Sequence, residues 1–309
     1  MIMQEIYYPS SDGKTNIHAC IWPAQGECRA VLQIIHGMAE YAERYAHFAQ
    51  YLNGFGITVC AEDHLGHGKS VANESAYSYF AERKGYEPVL EDIRALTEII
   101  KPRFDGVPYF IMGHSMGSFF CRKYISLYGA ELAGAIIMGT GYKNPVVTGS
   151  AKLMTRLVAL FKGWDKQSRF IDGLAFGSYN KKFEQNTTFD WLSRNPDNVD
   201  KYISDELCGI TFTCNAFFGL FSILGEACKA GTFNATNANL PIYLVSGSDD
   251  PVGDFTQGVV KVYEGYQKAG VKDVTLKFYR NARHEILNED CAPRVYEDLR
   301  DFILSRTGA

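Results

Sequence analysis

A serine in a glycine-flanked turn is the residue of this sequence best placed to do chemistry. The segment Gly113–Gly117 fits the pattern G-x-S-x-G around Ser115. An apolar run at Tyr109–Met112 precedes it and a helix-like run at Phe119–Tyr128 follows, so the turn is predicted to join a strand to a helix. There the hydroxyl stands above the sheet, and the N–H of Met116 is free to bind a developing oxyanion. The pattern therefore predicts a nucleophilic serine.

A serine hydroxyl reacts slowly at neutral pH unless a base takes its proton and a carboxylate orients that base. His284 is the only histidine that follows Ser115 in the chain. It comes shortly after the strand-like run Val274–Tyr279, where a parallel sheet would present it at the edge that carries the serine. We therefore expect His284 to be the base.

Two adjacent aspartates compete to be the orienting carboxylate. Asp249 and Asp250 follow the predicted strand Ile242–Ser246, and the proline after Asp250 restricts that residue to extended backbone conformations. We expect Asp250 to orient the histidine, with Asp249 as the alternative. Glu285 and Asp254 are further alternatives.

A second oxyanion donor is expected beside the serine. The tripeptide His36-Gly37-Met38 ends the strand-like run Ala30–Ile35, and its loop should lie next to the nucleophile turn. The N–H of Met38 is the candidate partner for that of Met116. The alternative is that His36 and its glycine only terminate the strand.

The other histidines are expected to serve the structure. His64 and His67 lie in a glycine-rich loop without a set of ligands at metal spacing, so we expect them to make loop hydrogen bonds and to bind no metal. We expect His114 to point away from the nucleophile. His18 is expected to lie at the surface or to be partly packed.

Strand-like and helix-like segments alternate on both sides of a long interruption. This alternation predicts a mostly parallel sheet with helices on both faces, the α/β class. The further predicted strands and helices are Ile6–Tyr8, Ile17–Trp22, Glu43–Leu52, Ile57–Ala61, Pro88–Phe104, Ala135–Met138, Thr256–Ala269 and Pro293–Ser305. The first two are expected to add an antiparallel edge.

The interruption divides the chain into a predicted core, residues 1–140 and 240–309, and a predicted helical cap, residues 141–239. An insertion at the carboxyl edge of a parallel sheet lies over the ligand crevice. Its predicted helices are Ala151–Phe161, Asn198–Tyr202 and Ala216–Ala230. We expect its aromatic residues to line an apolar pocket and to make transient contact with a membrane surface, the alternative being that each packs cap against core. The pocket candidates are Phe161, Phe217, Phe218 and Phe221.

Composition narrows the classes of function. The 309-residue chain carries a formal charge of −4, which argues against a polyanion-binding surface and so against nucleic acid. The longest nearly uncharged stretch, residues 209–225, is short for a membrane span and contains polar residues. No basic region followed by an apolar run opens the sequence, and the eight cysteines lack CxxC spacing, so we expect free thiols and a cytoplasmic protein.

Five stretches together resemble a known family. They are similar, in the expected order, to motifs of the monoacylglycerol lipase and lysophospholipase-like branch of the α/β-hydrolase superfamily, which is also grouped with serine aminopeptidases. Family members often carry His where Tyr41 stands and Arg where Leu65 stands, and we expect these departures to affect loop packing or acyl preference. The matching stretches are residues 36–45, 63–70, 113–117, 247–252 and 282–285.

The resemblance implies an α/β-hydrolase fold with an inserted cap, a triad of Ser115, Asp250 and His284, and backbone donors at Met38 and Met116. It implies hydrolysis of monoacylglycerols, lysophospholipids or similar small lipophilic esters, without a metal or an organic cofactor. Two alternatives stay open. One is a feruloyl-type esterase or an amide- or peptide-releasing hydrolase with the same triad. The other is a non-catalytic binding module, although such modules usually lack a triad residue. Acyl-chain length and oligomeric state are left open as well.

Overall fold

Eight strands form one sheet in the computed structural model of the chain, which describes residues 3–82 and 85–308. The strands are β1 (Gln4–Pro9), β2 (Asn16–Trp22), β3 (Ala30–Ile35), β4 (Ile57–Glu62), β5 (Tyr109–His114), β6 (Gly134–Met138), β7 (Ile242–Gly247) and β8 (Val274–Tyr279). Their order across the sheet is β1-β2-β4-β3-β5-β6-β7-β8. β2 runs antiparallel to both of its neighbours, and all pairs from β4 to β8 are parallel. The predicted parallel sheet with an antiparallel edge is therefore confirmed.

Helices connect the parallel strands and fill the insertion. They are α1 (Ala46–Asn53), α2 (Glu87–Ile100), α3 (Met116–Tyr128), α4 (Pro145–Lys162), α5 (Arg169–Phe176), α6 (Pro196–Ser204), α7 (Cys214–Ala227), α8 (Ala230–Asn234), α9 (Gln257–Lys268) and α10 (Ala292–Leu304). Short 3₁₀ turns lie at Ala42–Tyr45, Glu74–Ala76, Lys101–Phe104, Gly129–Glu131, Tyr179–Lys182 and Asp190–Leu192.

Alternate side chains of each strand enter two apolar layers, as the strand period of two requires. On β3, Val31 and Ile35 join the layer that contains α2, α3 and α9. Leu32 and Ile34 join the opposite layer, which contains α1 and α10. Because both faces are covered, the central strands are buried along their whole length. The loops that follow the parallel strands lie together at the carboxyl edge of this sheet.

Helices α3 and α4 begin several residues earlier than the sequence indicates. α3 begins at Met116 instead of Phe119, because the turn at Ser115 leads straight into the helix without a linker. α4 begins at Pro145 instead of Ala151, since the Asn144 side chain accepts from the N–H of Val146 and caps the helix. In both cases the first turn lacks the apolar periodicity on which the prediction depends.

The insertion between β6 and β7 contributes α4 to α8. α7 packs against α3 and α4, and its Phe217 and Ile223 lie in the same apolar cluster as Phe120 and Tyr124 of α3. This part of the insertion thus shares a core with the sheet. That residues 141–239 act as a cap over a substrate stays a prediction.

Candidate active site

Ser115 lies at the junction of β5 and α3 in a sparsely populated backbone conformation, with φ of 54° and ψ of −121°. Its N–H donates to the carbonyl of Met138 at 3.0 Å, which ties the turn to the neighbouring strand. A Cβ on Gly117 would lie 2.0 Å from the carbonyl oxygen of Ile35, so only glycine allows α3 to approach β3 this closely. The turn therefore holds the serine at the carboxyl edge of the sheet.

The predicted base and one of the predicted acids form a buried pair. His284 Nδ1 lies 2.9 Å from Oδ2 of Asp250, and both side chains are almost inaccessible to solvent. The N–H of Val252 donates to the other oxygen of Asp250 at 2.9 Å, which orients the carboxylate. A carboxylate only accepts, so Nδ1 of His284 donates, and in a neutral imidazole Nε2 is then the nitrogen with the lone pair. Nε2 is buried and has no hydrogen-bond partner among the described residues.

His284 lies at the same edge of the sheet as the serine. Its ring centroid is 4.7 Å from that of His114, the residue before Ser115. A Cβ on Gly139, which follows β6, would lie 3.1 Å from Cε1 of His284, so the histidine packs directly on that strand end. The structure has no hydrogen bond between Ser115 Oγ and His284 Nε2, and such bonds often tighten only when substrate binds.

The competing carboxylates lie elsewhere. Asp249 is half-buried and accepts from the hydroxyl of Ser248 at 3.0 Å. Asp254 is exposed. Glu285 accepts two hydrogen bonds from the guanidinium of Arg44, at 2.8 and 2.9 Å, and so belongs to a different cluster. Of the four candidates, Asp250 is the one that contacts His284.

The loop after β3 lies against the nucleophile turn, as the sequence predicts. A Cβ on Gly37 would lie 3.1 Å from Cβ of Ser115. The N–H of Gly37 donates to Oε1 of Glu40 at 2.6 Å, and the N–H of Ala39 donates to Nε2 of His67 at 3.2 Å. Between them, the N–H of Met38 has no acceptor in the described part of the chain.

Like the N–H of Met38, the N–H of Met116 has no acceptor in the described part of the chain. Met116 is the first residue of α3, where a helix leaves its N–H groups unpaired and carries a partial positive charge. Two amides without an acceptor thus belong to the two segments that meet at Ser115, and an oxyanion needs two such donors. Their role stays a prediction.

A buried polar cluster links three of these loops, and the sequence analysis missed it. Glu40 accepts from Gly37 N–H, from the hydroxyl of Tyr45 at 2.9 Å and from Nδ1 of His114 at 3.2 Å. Arg44 bridges Glu40 to Glu285, the residue after His284. The four-residue spacing of Glu40 and Arg44 was the available signal, but their pairing with Glu285 depends on the fold.

In this cluster, neighbouring groups of opposite charge counteract the effect of burial on each pKa. Burial by itself would raise the pKa of Glu40, but the hydrogen bond from His114 and the charge of Arg44 hold that pKa well below its usual value. Burial opposes the charge of His114, yet the hydrogen bond to Glu40 and its negative charge raise the pKa of His114. The cluster therefore favours ionised carboxylates and raises the pKa of His114.

The remaining histidines differ in part from expectation. His64 and His67 make hydrogen bonds within their loop and to the loop after β3, as predicted. The expectation for His18 is wrong, because its side chain is fully buried between Asp63 and Glu5, at 2.8 and 3.0 Å. His18 lies on β2, where alternation directs it toward a polar pocket instead of solvent.

A group of donor atoms around His18 has the composition of a metal site. Among the described residues, His18, Cys20 and Glu43 offer atoms within 4.8 Å of one another. The ammonium of Lys69 bonds to both Glu5 and Glu43 there, so the group already contains a cation.

The aromatic residues of the insertion separate into two groups. Phe161 is 90% exposed at the end of α4, and its expected place in an apolar pocket stays a prediction. Phe217 is buried and contacts the rings of Phe212 and Phe221. Phe218 packs against Trp164 and Arg156. Binding of an acyl group by Phe217, Phe218 and Phe221 stays a prediction.

One insertion residue that the sequence analysis did not single out contacts the predicted base. The ring of Trp191 lies 5.2 Å from that of His284, and the N–H of Glu285 donates to the carbonyl of Leu192 at 2.8 Å. The buried guanidinium of Arg283 donates to the carbonyls of Asp190 and Ser193 at 2.7 and 3.2 Å. The insertion is therefore anchored to the loop that carries His284.

The chain is similar to several known proteins. The model of the family described as serine aminopeptidase, S33, matches residues 26–291. The monoacylglycerol lipase of Mycolicibacterium smegmatis is 27% identical over 292 residues, which cover 92% of this chain and 91% of that protein. The monoglyceride lipase of Mus musculus is 28% identical over 295 residues, which cover 93% of this chain and 86% of that protein.

Solved structures are also similar. A thermostable carboxyl esterase from Bacillus coagulans, in complex with glycerol, has a TM-score of 0.92 and 29% identity, with 99% of each chain covered. A soluble variant of the monoglyceride lipase from Saccharomyces cerevisiae has a TM-score of 0.79 over 100% of this chain and 96% of that one. Its identity is 18%, so that likeness bears on the fold alone.

Proposed function

The chain belongs to the serine aminopeptidase S33 family of α/β-hydrolases, and from that premise we propose that it hydrolyses carboxylic esters of lipophilic acids, such as monoacylglycerols or lysophospholipids, through an acyl-enzyme on Ser115. The observation that carries this proposal is the pair of His284 and Asp250, whose geometry leaves Nε2 of the histidine as an unoccupied base beside the serine turn. The ester-hydrolase names of the relatives and of the carboxyl esterase support the substrate class.

The proposed reaction transfers the acyl group twice. Nε2 of His284 takes the proton of Ser115 as Oγ attacks the ester carbonyl, and Asp250 stabilises the imidazolium that forms. The N–H groups of Met38 and Met116 bind the carbonyl oxygen as it becomes negative. His284 then protonates the departing alcohol oxygen, and the C–O bond breaks to leave the acyl-enzyme. Water repeats the sequence, so that acid is released and Ser115 regains its proton.

The experiment that tests this function is hydrolysis of a chain-length series of monoacylglycerols by the wild type and by Ser115→Ala. We expect Ser115→Ala to lose nearly all activity and to resist labelling by a fluorophosphonate probe. Ser126→Ala is the matched control, since that serine lies on α3, the helix that follows Ser115, and bonds only the carbonyl of Lys123. Wild-type turnover by Ser115→Ala would exclude the nucleophile, and activity restricted to short acyl esters would exclude lipids as substrates.

We further propose that α4 and α5 dock on an anionic lipid surface. Apolar side chains project from these helices into solvent, among them Leu160 with 75% of its surface exposed. The others on these helices include Leu153, Leu157, Phe161, Phe170 and Leu174. Among the described residues, no helix is long and apolar enough to cross a membrane. Contact would therefore be with the lipid surface, where exposed apolar side chains gain burial.

Charge in this segment favours anionic lipid. The chain as a whole carries −4, but residues 143–182 are strongly basic. Basic side chains beside an apolar face add electrostatic attraction to an anionic surface. The charged residues of this segment are Lys143, Lys152, Arg156, Lys162, Lys166, Arg169, Lys181 and Lys182, with only Asp165 and Asp172 of opposite sign.

Cosedimentation with vesicles tests this contact. We expect the wild type to bind phosphatidylcholine vesicles that contain phosphatidylglycerol more tightly than vesicles of phosphatidylcholine alone. The double variant Leu160→Ser, Phe161→Ser should lose this binding. Leu127→Ser, at an exposed apolar position on α3, is the control that should keep it. Equal binding by both variants would exclude α4 as the docking element.

We propose a cytoplasmic location. All eight cysteines are free thiols, most of them buried, which suits a reducing compartment. Fractionation of cells that express the protein tests this location, and recovery outside the cytoplasmic fraction would contradict it.

A further inference from the structure

A buried histidine holds the peptide between Gly37 and Met38 from its carbonyl side. His36 Nδ1 lies 2.7 Å from the carbonyl oxygen of Gly37. That carbonyl and the N–H of Met38 belong to one planar trans peptide, so they point in opposite directions. A bond that fixes the direction of the carbonyl therefore also fixes the direction of the Met38 N–H.

The tautomer of His36 follows from its two backbone partners. The N–H of His64 donates to Nε2 of His36 at 3.0 Å, and a backbone N–H can only donate. Nε2 must therefore carry the lone pair. The carbonyl of Gly37 can only accept, so Nδ1 must carry the hydrogen. The two partners demand the same neutral tautomer, and both ring nitrogens are satisfied.

Packing keeps the His36 ring in this state. The ring is fully buried and stacks on the ring of His64 with centroids 3.8 Å apart. Burial, together with the neighbouring His64 and His67, holds the pKa of His36 well below its usual value. A proton on Nε2 would break the bond from His64 N–H, so the neutral state is the one that the surroundings preserve.

The adjacent amides leave only one donor free. Gly37 N–H is bonded to Glu40, and Ala39 N–H is bonded to His67. Met38 N–H, between them, is the amide without an acceptor, and it adjoins a glycine whose Cβ would lie 3.1 Å from that of Ser115. The groups on both sides of the Met38 N–H are thus held by hydrogen bonds, and this N–H is left without an acceptor.

We propose that His36 is a positioning residue for transition-state binding: it aims the N–H of Met38 at the oxyanion by holding the carbonyl of the same peptide. A hydrogen bond accepted by the carbonyl also polarises the peptide and strengthens its N–H as a donor. This inference rests on the proposed function, because it requires that an oxyanion form at Ser115. Of the two roles that the sequence allows for His36 and Gly37, it favours the catalytic one, since the histidine then has a task beyond ending β3.

Asparagine and glutamine at position 36 separate the two hydrogen bonds of the histidine. The amide of asparagine reaches as far as Nδ1, so His36→Asn keeps a donor for the Gly37 carbonyl but gives up the acceptor for His64 N–H. The longer His36→Gln does the opposite. We expect His36→Gln and His36→Ala to lower kcat by about 10-fold to 100-fold, since loss of an entire oxyanion donor costs about 100-fold to 1,000-fold. KM should change little, and His36→Asn should recover most of kcat.

Inhibition by a transition-state analogue distinguishes a positioning role of His36 from a merely structural one, because a structural role would leave the inhibition constant unchanged. A trifluoromethyl ketone forms an oxyanion on the serine, so its inhibition constant should weaken in proportion to kcat across the three variants. Fluorophosphonate titration of each preparation gives the concentration of competent active sites. Because kcat is calculated from that concentration, misfolded protein does not lower its value. His18→Asn, which removes another fully buried histidine from β2, a strand separated from β3 by β4, is the control and should keep wild-type kcat per competent site.

The outcomes separate the two proposals. Full activity of Ser115→Ala would remove the proposed function itself. An inactive Ser115→Ala together with equal kcat for the wild type, His36→Asn and His36→Gln would overturn only the role of His36. The same holds if affinity for the trifluoromethyl ketone is unchanged in His36→Gln. If His36→Ala does not fold, the comparison of His36→Asn with His36→Gln still tests the role of His36.

Discussion

Oδ2 of Asp250 lies 2.9 Å from Nδ1 of His284, whereas the side chain of the adjacent Asp249 accepts a hydrogen bond from Ser248. One peptide bond separates the two aspartates, yet only one contacts the histidine. The N–H of Val252 and the hydroxyl of Ser246 donate to the carboxylate of Asp250, at 2.9 and 3.3 Å, and hold it in this orientation. An amide at position 250 would favour the wrong tautomer of His284.

We therefore expect Asp250→Asn to lower kcat by about 10,000-fold, the loss typical of a triad carboxylate replaced by its amide. Asp249→Asn should stay within a few-fold of the wild type. The measurement is steady-state hydrolysis of a p-nitrophenyl ester, normalised by fluorophosphonate titration. A larger loss in Asp249→Asn would reverse the assignment of the carboxylate.

Replacement of Arg44 should destabilise the fold. Its guanidinium lies between the buried carboxylates of Glu40 and Glu285, so Arg44→Met removes the permanent positive charge that pairs with both. The expected loss is about 3–5 kcal/mol in the free energy of unfolding, measured by urea denaturation. Arg294→Met removes ion pairs from an exposed arginine and should cost less than about 1 kcal/mol. Equal losses in the two variants would contradict a buried pairing.

Asp92 should make stability depend on pH. Burial raises the pKa of Asp92 to about 6, although Ser10 and Ser11 donate to it at 2.7 Å. The unfolded chain loses this proton near pH 4 and the folded chain near pH 6, so the folded state binds more protons between them. Stability should then fall as pH rises through that window, by about 3 kcal/mol from this group.

The variant Asp92→Asn isolates this effect, because an amide does not titrate. We expect its unfolding free energy, relative to that of the wild type, to rise between pH 4 and pH 6 and then to level off. Urea denaturation at half-unit pH intervals measures the difference. A difference that is constant over this range would show that Asp92 titrates normally.

Glycine 117 should not tolerate a methyl group. A Cβ there would meet the backbone oxygens of Ile35 and His36 at 2.0 and 2.5 Å, so Gly117→Ala must push α3 away from β3. We expect little soluble protein, and any that forms should have lost activity. Gly149→Ala is the matched control, since nothing lies within 4 Å of its Cβ and the position is helical and exposed. It should raise stability by up to about 1 kcal/mol. Thermal unfolding and yield measure both.

Much of the fold was predictable because its signals are local. The apolar runs that became β3, β5 and β7 are short and bounded by turn residues, and the structure places strands at each of them. Helix α5 was missed, since Arg169–Phe176 has too few turns for a periodic pattern to stand out. The start of α4 was missed because its first turn is set by the cap at Asn144.

The site was predictable in its parts but not in its connections. Sequence order pointed to Ser115 and His284, and the proline after Asp250 favoured that aspartate over Asp249 without excluding Asp249. The exposure of Phe161 was not visible either, because an aromatic residue in an apolar run has the same local signal whether it faces a core or solvent. Which way a helix faces is decided by what packs against it.

The sequence by itself determined the order of the candidate nucleophile, acid and base and the alternation of strands with helices, because both are properties of neighbouring residues and of periodicity along the chain. Only the tertiary structure decided that Asp250 meets His284 and that Arg44 joins Glu40 to Glu285, 241 residues further along. It also decided that His36 holds the Gly37 carbonyl while His64 holds the ring. These contacts depend on which distant segments of the chain meet in the fold and on the need of each buried donor for an acceptor.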